Sequence, residues 1–244
     1  MPDTPIMKPQ PAPRSWPLRP AAPPSVRWPR SAAAALLALA GCAGPPPIAP
    51  PVPPLATSPK APASEPAPID VDRRDGNCHV RLRDQLDDYL TRNLLFVMTK
   101  LDQAACRSKR VLIDLEGGQV GSAITAGAII KNRGYDTQVQ PGTTCLTPCL
   151  LVFAAGRQRI MQHTAPPTRI GFSQIPPDQD FGRQVCETEL ASSQVLTLTR
   201  YLRAMLPVPI ATTVFQKLTA ATCQRTEYLG PAEAVAIGLA TTMR

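Results

Sequence analysis

Hydrophobic positions change their period repeatedly along this chain, and each change marks an element. Residues 111–115, Val-Leu-Ile-Asp-Leu, form a short apolar run flanked by charge, which predicts a buried strand. Gly117-Gly118 follows and predicts a tight turn. Residues 120–132 have helical spacing, with Gly121, Ala123, Ala126 and Gly127 allowing close packing and Gly134 suited to the helix end. A short strand is expected near 137–139. Thr147-Pro148 then reads as N-cap and first residue of an apolar helix over 148–155. Upstream, residues 81–101 start strand-like and turn helical through Leu86, Tyr89, Leu90, Leu94 and Val97. Downstream come short strands at 159–161 and 169–172, and a long helix over 181–206 stopped by Pro207 and Pro209. Helices over 210–223 and 230–238 complete the pattern. Strands alternating with helices predict one layered α/β domain over residues 75–244.

Composition removes the front of the chain from that domain. Of 30 prolines, 21 fall in the first 70 residues, which no packed core accommodates. Residues 1–41 read as an export signal: a basic stretch, then an apolar run from Ala32 to Ala40 too short to span a bilayer. The run ends in Leu39-Ala40-Gly41-Cys42, similar to the lipobox of bacterial lipoproteins, which makes Cys42 the expected lipidation site. An ordinary signal peptide with a chance cysteine is the alternative. Ala43 lacks the aspartate that the lipoprotein resemblance associates with inner-membrane retention, so an outer-membrane lipoprotein facing the periplasm is expected. Residues 42–74 form the acylated cysteine and a proline-rich spacer, disordered apart from semi-rigid polyproline segments. Half of the net charge of +8 lies ahead of Cys42 and the rest is dispersed, so no nucleic-acid partner is expected.

Six cysteines remain: Cys78, Cys106, Cys145, Cys149, Cys186 and Cys223. An even number in an exported domain suggests disulfides. Their order suggests the pairs 78–106, 145–149 and 186–223, although sequence alone leaves the connectivity open. A metal site is disfavoured, since neither histidine, His79 nor His163, stands at ligand spacing from a cysteine pair.

Four segments together resemble the proteolytic subunit of Clp protease and its crotonase-superfamily relatives, in particular an exported, cysteine-bearing branch. They are Ile113-Asp-Leu-Glu-Gly-Gly118, the stretch 147–156 (TPCLLVFAAG), Thr168-Arg-Ile-Gly-Phe-Ser-Gln174, and 225–239 (RTEYLGPAEAVAIGL). The resemblance implies a single-domain Clp/crotonase-like spiral of β-β-α units. It places the oxyanion hole at Gly117 and Gly118, the nucleophile at Thr147, the histidine at Ser173 and the acid at Thr226. All three triad-equivalent positions are therefore altered. Pro148, after the nucleophile position, is excluded as an oxyanion donor because it has no N–H.

A hydroxyl needs an adjacent base to act as nucleophile at neutral pH. His163 sits in a turn-like stretch, and Lys131 and Lys217 do not match the dyad pattern of signal-peptide peptidases. Asp114 and Glu116 flank the Gly-Gly turn, where a carboxylate caps or pairs more readily than it acts as base. The balance falls on a pseudo-peptidase that binds an extended peptide or an envelope protein, with no cofactor. A hydrolase using Thr147 with an unconventional base is the alternative. A third reading is a disulfide-stapled domain assembling as a homo-oligomer, as the resemblance implies. Acyl-CoA chemistry is disfavoured because that cofactor is cytoplasmic.

Overall fold

The computed structural model describes residues 68–185 and 189–244. Cys42, the signal stretch and nearly all of the proline-rich spacer lie outside these residues, and so does Cys186. Among the described residues no helix is long and apolar enough to cross a membrane.

Strands β1 (Ile69–Arg74) and β2 (Asn77–Leu86) form an antiparallel hairpin around Asp75-Gly76. Both turn residues have positive φ, as a two-residue turn matching the strand twist requires. The first described strand thus starts at Ile69, within the stretch 42–74 that composition assigns to the spacer. Only Ile69 and Val71 are apolar in β1, too weak a pattern to stand out beside so many prolines.

The chain continues through α1 (Asp88–Asp102), β3 (Ser108–Gly118), α2 (Val120–Asn132), β4 (Asp136–Val139), β5 (Thr144–Cys145) and α3 (Thr147–Ala154). It then forms β6 (Arg159–Met161), β7 (Arg169–Phe172), α4 (Ser192–Met205), α5 (Val208–Ala220), β8 (Glu227–Leu229), α6 (Pro231–Ala236) and β9 (Thr242–Met243). A six-stranded sheet runs β1-β2-β3-β4-β6-β9, and a smaller one runs β5-β7-β8. The large sheet is parallel from β2 onward. Such a sheet needs crossovers, and α1, α2 and α3 supply them.

Alternation within the strands decides which face is covered. Val80 and Leu82 of β2 and Val111, Ile113 and Leu115 of β3 are buried, while His79, Arg81, Arg110 and Leu112 point to the opposite face. Helix α3 is buried at every residue, which is why its sequence carries no polar side. Tyr201 of α4 reaches across α2 at Gly127, and its hydroxyl donates to the Leu151 carbonyl at 2.7 Å. A Cβ on Gly127 would stand 1.8 Å from that hydroxyl.

Two expectations about elements are corrected. The helix expected over 181–206 is shorter, beginning at Ser192. The preceding chain folds back on itself through an Asp178–Arg183 bridge, with Gly182 at positive φ. Pro207 and Pro209 do not merely stop α4: Pro207 is the N-cap residue of α5, and Pro209 sits in its first turn, where a missing N–H costs nothing.

Disulfides join Cys78 to Cys106 and Cys145 to Cys149. The first ties β2 to the loop after α1. The second ties β5 to the first turn of α3. Cys223 is disulfide-bonded as well; the 186–223 pairing involves a residue outside those described.

Candidate functional site

Strand β3 carries the Gly-Gly pair to the edge of a cleft. Gly117 and Gly118 are paired with Gln85 and Leu86 of β2, after a register shift at Asp84/Gln85. Gly118 has φ +139, and a Cβ there would stand 2.5 Å from the Leu86 carbonyl oxygen. Only glycine lets the two backbones approach this closely. Gly117 is less constrained: an added Cβ would meet the flexible Gln85 side chain. The cleft beyond them encloses about 480 Å³, and its walls include Glu116, both glycines, Pro148, Ser173 and Pro176-Pro177.

Ser173 lines the cleft, and Thr147 is hydrogen-bonded to it from behind the wall. Thr147 is fully buried. Its N–H donates to Ser173 Oγ at 3.3 Å, and its hydroxyl donates to the Ser173 carbonyl. Ser173 Oγ in turn donates to Thr147 Oγ1 at 3.0 Å. Thr147 is not the N-cap of α3, as its pairing with Pro148 suggests. Leu146 holds the cap position without a side-chain bond, and Thr147 is the first helical residue. The hydroxyl prefers a long-range carbonyl to its own helix end.

Thr226 precedes β8, and continuing the antiparallel β7–β8 register from Phe172↔Glu227 sets it opposite Ser173. Among the described residues no hydrogen bond joins its side chain to Ser173 or Thr147. The three positions therefore lie at one end of the smaller sheet, and hydrogen bonds join only Thr147 and Ser173 among them. Pro148 stands in the first turn of α3 and offers no N–H to the cleft.

The other candidate bases lie elsewhere. Lys131 donates to the Met205 carbonyl at 3.3 Å. Lys217 is ion-paired with Glu227 and sits 5.8 Å from the Phe172 ring centre. His163 lines a separate cavity beside Tyr228 and Glu233. Asp114 lies on the open face of the large sheet, whereas Glu116 reaches the cleft.

Asp178 was not legible as a site residue. Its carboxylate accepts from Gly121 N at 3.0 Å, Asp180 N at 3.0 Å and Phe181 N at 3.3 Å, and it is almost wholly buried. Helix α2 has no side-chain cap of its own. Asp178 supplies one across 57 residues and so pins the 174–183 strap beside the cleft. The local bonds to Asp180 and Phe181 are a turn pattern that sequence can suggest. The long-range one has no sequence signal.

The chain matches no family model and no curated protein. Solved structures do match in shape. ClpP1 from Listeria monocytogenes aligns with a TM-score of 0.51 at 13% identity, over 68% of this chain and 90% of that one. A mutant of the same ClpP1 gives 0.51 at 14% identity with the same coverage. A mutant of the 1510-N membrane-bound stomatin-specific protease gives 0.51 at 15% identity, over 67% and 77% of the two chains. The fold is ClpP-like. At these identities the likeness is one of fold, and the ClpP-like scaffold by itself assigns no activity.

Proposed function

We propose that this protein is an envelope lipoprotein, anchored through Cys42, whose ClpP-like domain binds an extended peptide segment in the cleft without cleaving it. One observation carries the proposal: the hydroxyl at the nucleophile position is spent on a backbone carbonyl. A carbonyl cannot accept that proton in the way a histidine does, so the oxygen is not activated. Pro148 adds to this, since the turn that would complete an oxyanion hole has lost a donor. Binding needs neither group. It needs an open groove with backbone groups along its edge, and the Gly-Gly strand end supplies that.

The ClpP-like scaffold also makes a homo-oligomer a natural state for the domain. Light scattering on the full chain checks it, and a monomer at tens of micromolar would remove assembly from the proposal.

A fluorophosphonate probe tests for catalysis, with an active ClpP beside it as control. The expected result is no adduct on this chain while the control is labelled. A stoichiometric adduct on Thr147 that disappears in Thr147→Ala would restore the hydrolase alternative, which the Ser173–Thr147 hydroxyl contact favours. Binding is tested with a library of unstructured peptides against the wild type and Gly117→Val. The variant fills the cleft edge at a position where φ is ordinary, so the fold survives. Loss of peptide capture in that variant is expected, and unchanged capture would remove the cleft as the binding site.

A further inference from the structure

The open face of the large sheet carries a second polar cavity, separate from the cleft. It measures about 340 Å³ and lies where β1, β2 and β3 run side by side. Asp70, Asp72, His79, Arg81 and Leu112 line it. The register explains the grouping: Asp70 is opposite Arg81, Asp72 opposite His79, His79 opposite Arg110 and Arg81 opposite Leu112. All of these project from the face opposite Val80, Leu82, Val111 and Ile113.

Charge on this face is not balanced. Asp72 is paired with Arg74 at 3.1 Å. Asp136, one strand further on, is held by Arg157 at 3.1 Å and by the Gln158 N–H. Arg83 and Asp114 stand opposite each other at the next position along the strands. Asp70 stands opposite Arg81, the Asp72–Arg74 pair lines the cavity beside it, and Arg110 lies opposite His79 and within the field of Arg244. Arg81 has no side-chain hydrogen bond or ion pair among the described residues, and its Nε is sealed from solvent with no partner. Arg110 donates through Nη1 to Gln138 at 3.0 Å, yet its Nε is also sealed and unpartnered. The sealed Nε atoms are out of a ligand's reach, but the Nη donors of Arg81 are neither sealed nor hydrogen-bonded among the described residues and stand open to an acceptor in the cavity. Electrostatics agree with the geometry. Burial, then the charges of Arg110 and Arg81, hold the His79 imidazole below its ordinary value, against the pull of Asp72. Burial and then Arg244 lower Arg110.

We propose that this cavity is a phosphate site, in which Arg81 grips the oxyanion and His79 flanks it, while Arg110, opposite His79 on β3, adds positive charge from beside the cavity. The guanidinium fork matches tetrahedral oxygens in pairs. A phosphate monoester carries nearly two negative charges at neutral pH and so answers more than one cation, which a single carboxylate does not. The phosphate arrives either on a soluble molecule or on a lipid headgroup. The site is independent of the cleft and of the peptide-binding proposal.

The chain has two histidines, so their ring resonances are simple to follow. Full-length protein bearing Cys42→Ser, which excludes any acyl chain, is titrated with inorganic phosphate against chloride at constant ionic strength. The expected result is a saturable shift of the His79 resonances, a rise in its midpoint, and His163 unmoved. Arg81→Gln weakens binding about 10- to 100-fold, Arg81→Lys less. Arg110→Gln serves as a second variant should Arg81→Gln not fold, and by removing a charge beside the cavity it weakens binding severalfold. In a second arm the same proteins are floated with phosphatidic acid vesicles, with phosphatidylcholine as control. Capture by phosphatidic acid alone, lost in Arg81→Gln or weakened in Arg110→Gln, together with weak inorganic phosphate binding, assigns a lipid headgroup. Binding in the first arm without capture in the second assigns a soluble phosphate. No saturable response in either arm, or one that both arginine variants leave intact, overturns the proposal.

Discussion

Single atoms decide the character of the cleft. At Gly118 the backbone conformation and the nearness of Leu86 both exclude a side chain, whereas at Gly117 neither does. Gly118→Ala is therefore expected to lower stability by about 2 kcal/mol or more, from backbone strain and overpacking together. Gly117→Ala is expected to cost much less, and urea titration of the two variants checks the contrast. Thr147 gives a complementary case. Thr147→Val keeps the shape but leaves the Ser173 carbonyl without its donor, at a cost of about 1–3 kcal/mol. Thr147→Ser retains the bond and is expected to lie close to the wild type. If the valine variant were as stable as the serine one, the hydroxyl would have no structural task. His79 sets a pH dependence. Its folded-state value lies below 6.5, so the unfolded chain binds the proton more readily. The linked stability is complete above pH 6.5 and is lost as the pH falls through the folded value. Thermal melts are expected to decline over that interval in the wild type and to flatten in His79→Gln.

At the scale of elements, long-range ties hold pieces that local sequence leaves loose. Asp178 joins the 174–183 strap to the start of α2. Asp178→Ala is expected to cost about 1–2 kcal/mol. Hydrogen exchange should rise in both the strap and the first turn of α2; exchange confined to the strap would mean that α2 caps itself. The two disulfides differ in reach. Cys78–Cys106 closes a separation of 28 residues and Cys145–Cys149 one of 4. Chain-entropy reasoning gives about 3–4 kcal/mol for the first and about 2 kcal/mol for the second. Serine pairs at 78 and 106 are therefore expected to destabilise more than serine pairs at 145 and 149. The reverse order would make the short bridge, two residues from Thr147 on the α3 side, the main brace of the domain.

For the whole molecule, the described residues belong to one compact unit. A chain beginning at Lys60 is expected to unfold in a single transition with the Tm of the full protein, by calorimetry. A lower Tm would mean that the proline-rich front contributes to the fold. The second face of the large sheet is polar over β1–β3, where Asp70, Asp72, His79 and Arg81 line a cavity, and closes over β4–β6, where Gln138 and Ile160 are buried.

What the sequence determined by itself was local. The strand at 111–115, helix α2 at 120–132 and the final Pro-to-Gly helix follow from hydrophobic period and from proline and glycine chemistry, which depend on neighbours a few residues away. The bonded pairs 78–106 and 145–149 also follow the order of the cysteines. The likeness to Clp proteases lay in four short segments, and the fold accords with it. Tertiary structure alone decided the rest. It set Thr147 against Ser173 across 26 residues and Asp178 against Gly121 across 57. It began the long helix only at Ser192, with the strap taking the residues before it. It also gathered Arg81, Arg110 and His79 on one open face through strand register. Register pairs residues that are distant in sequence, and no local period records it.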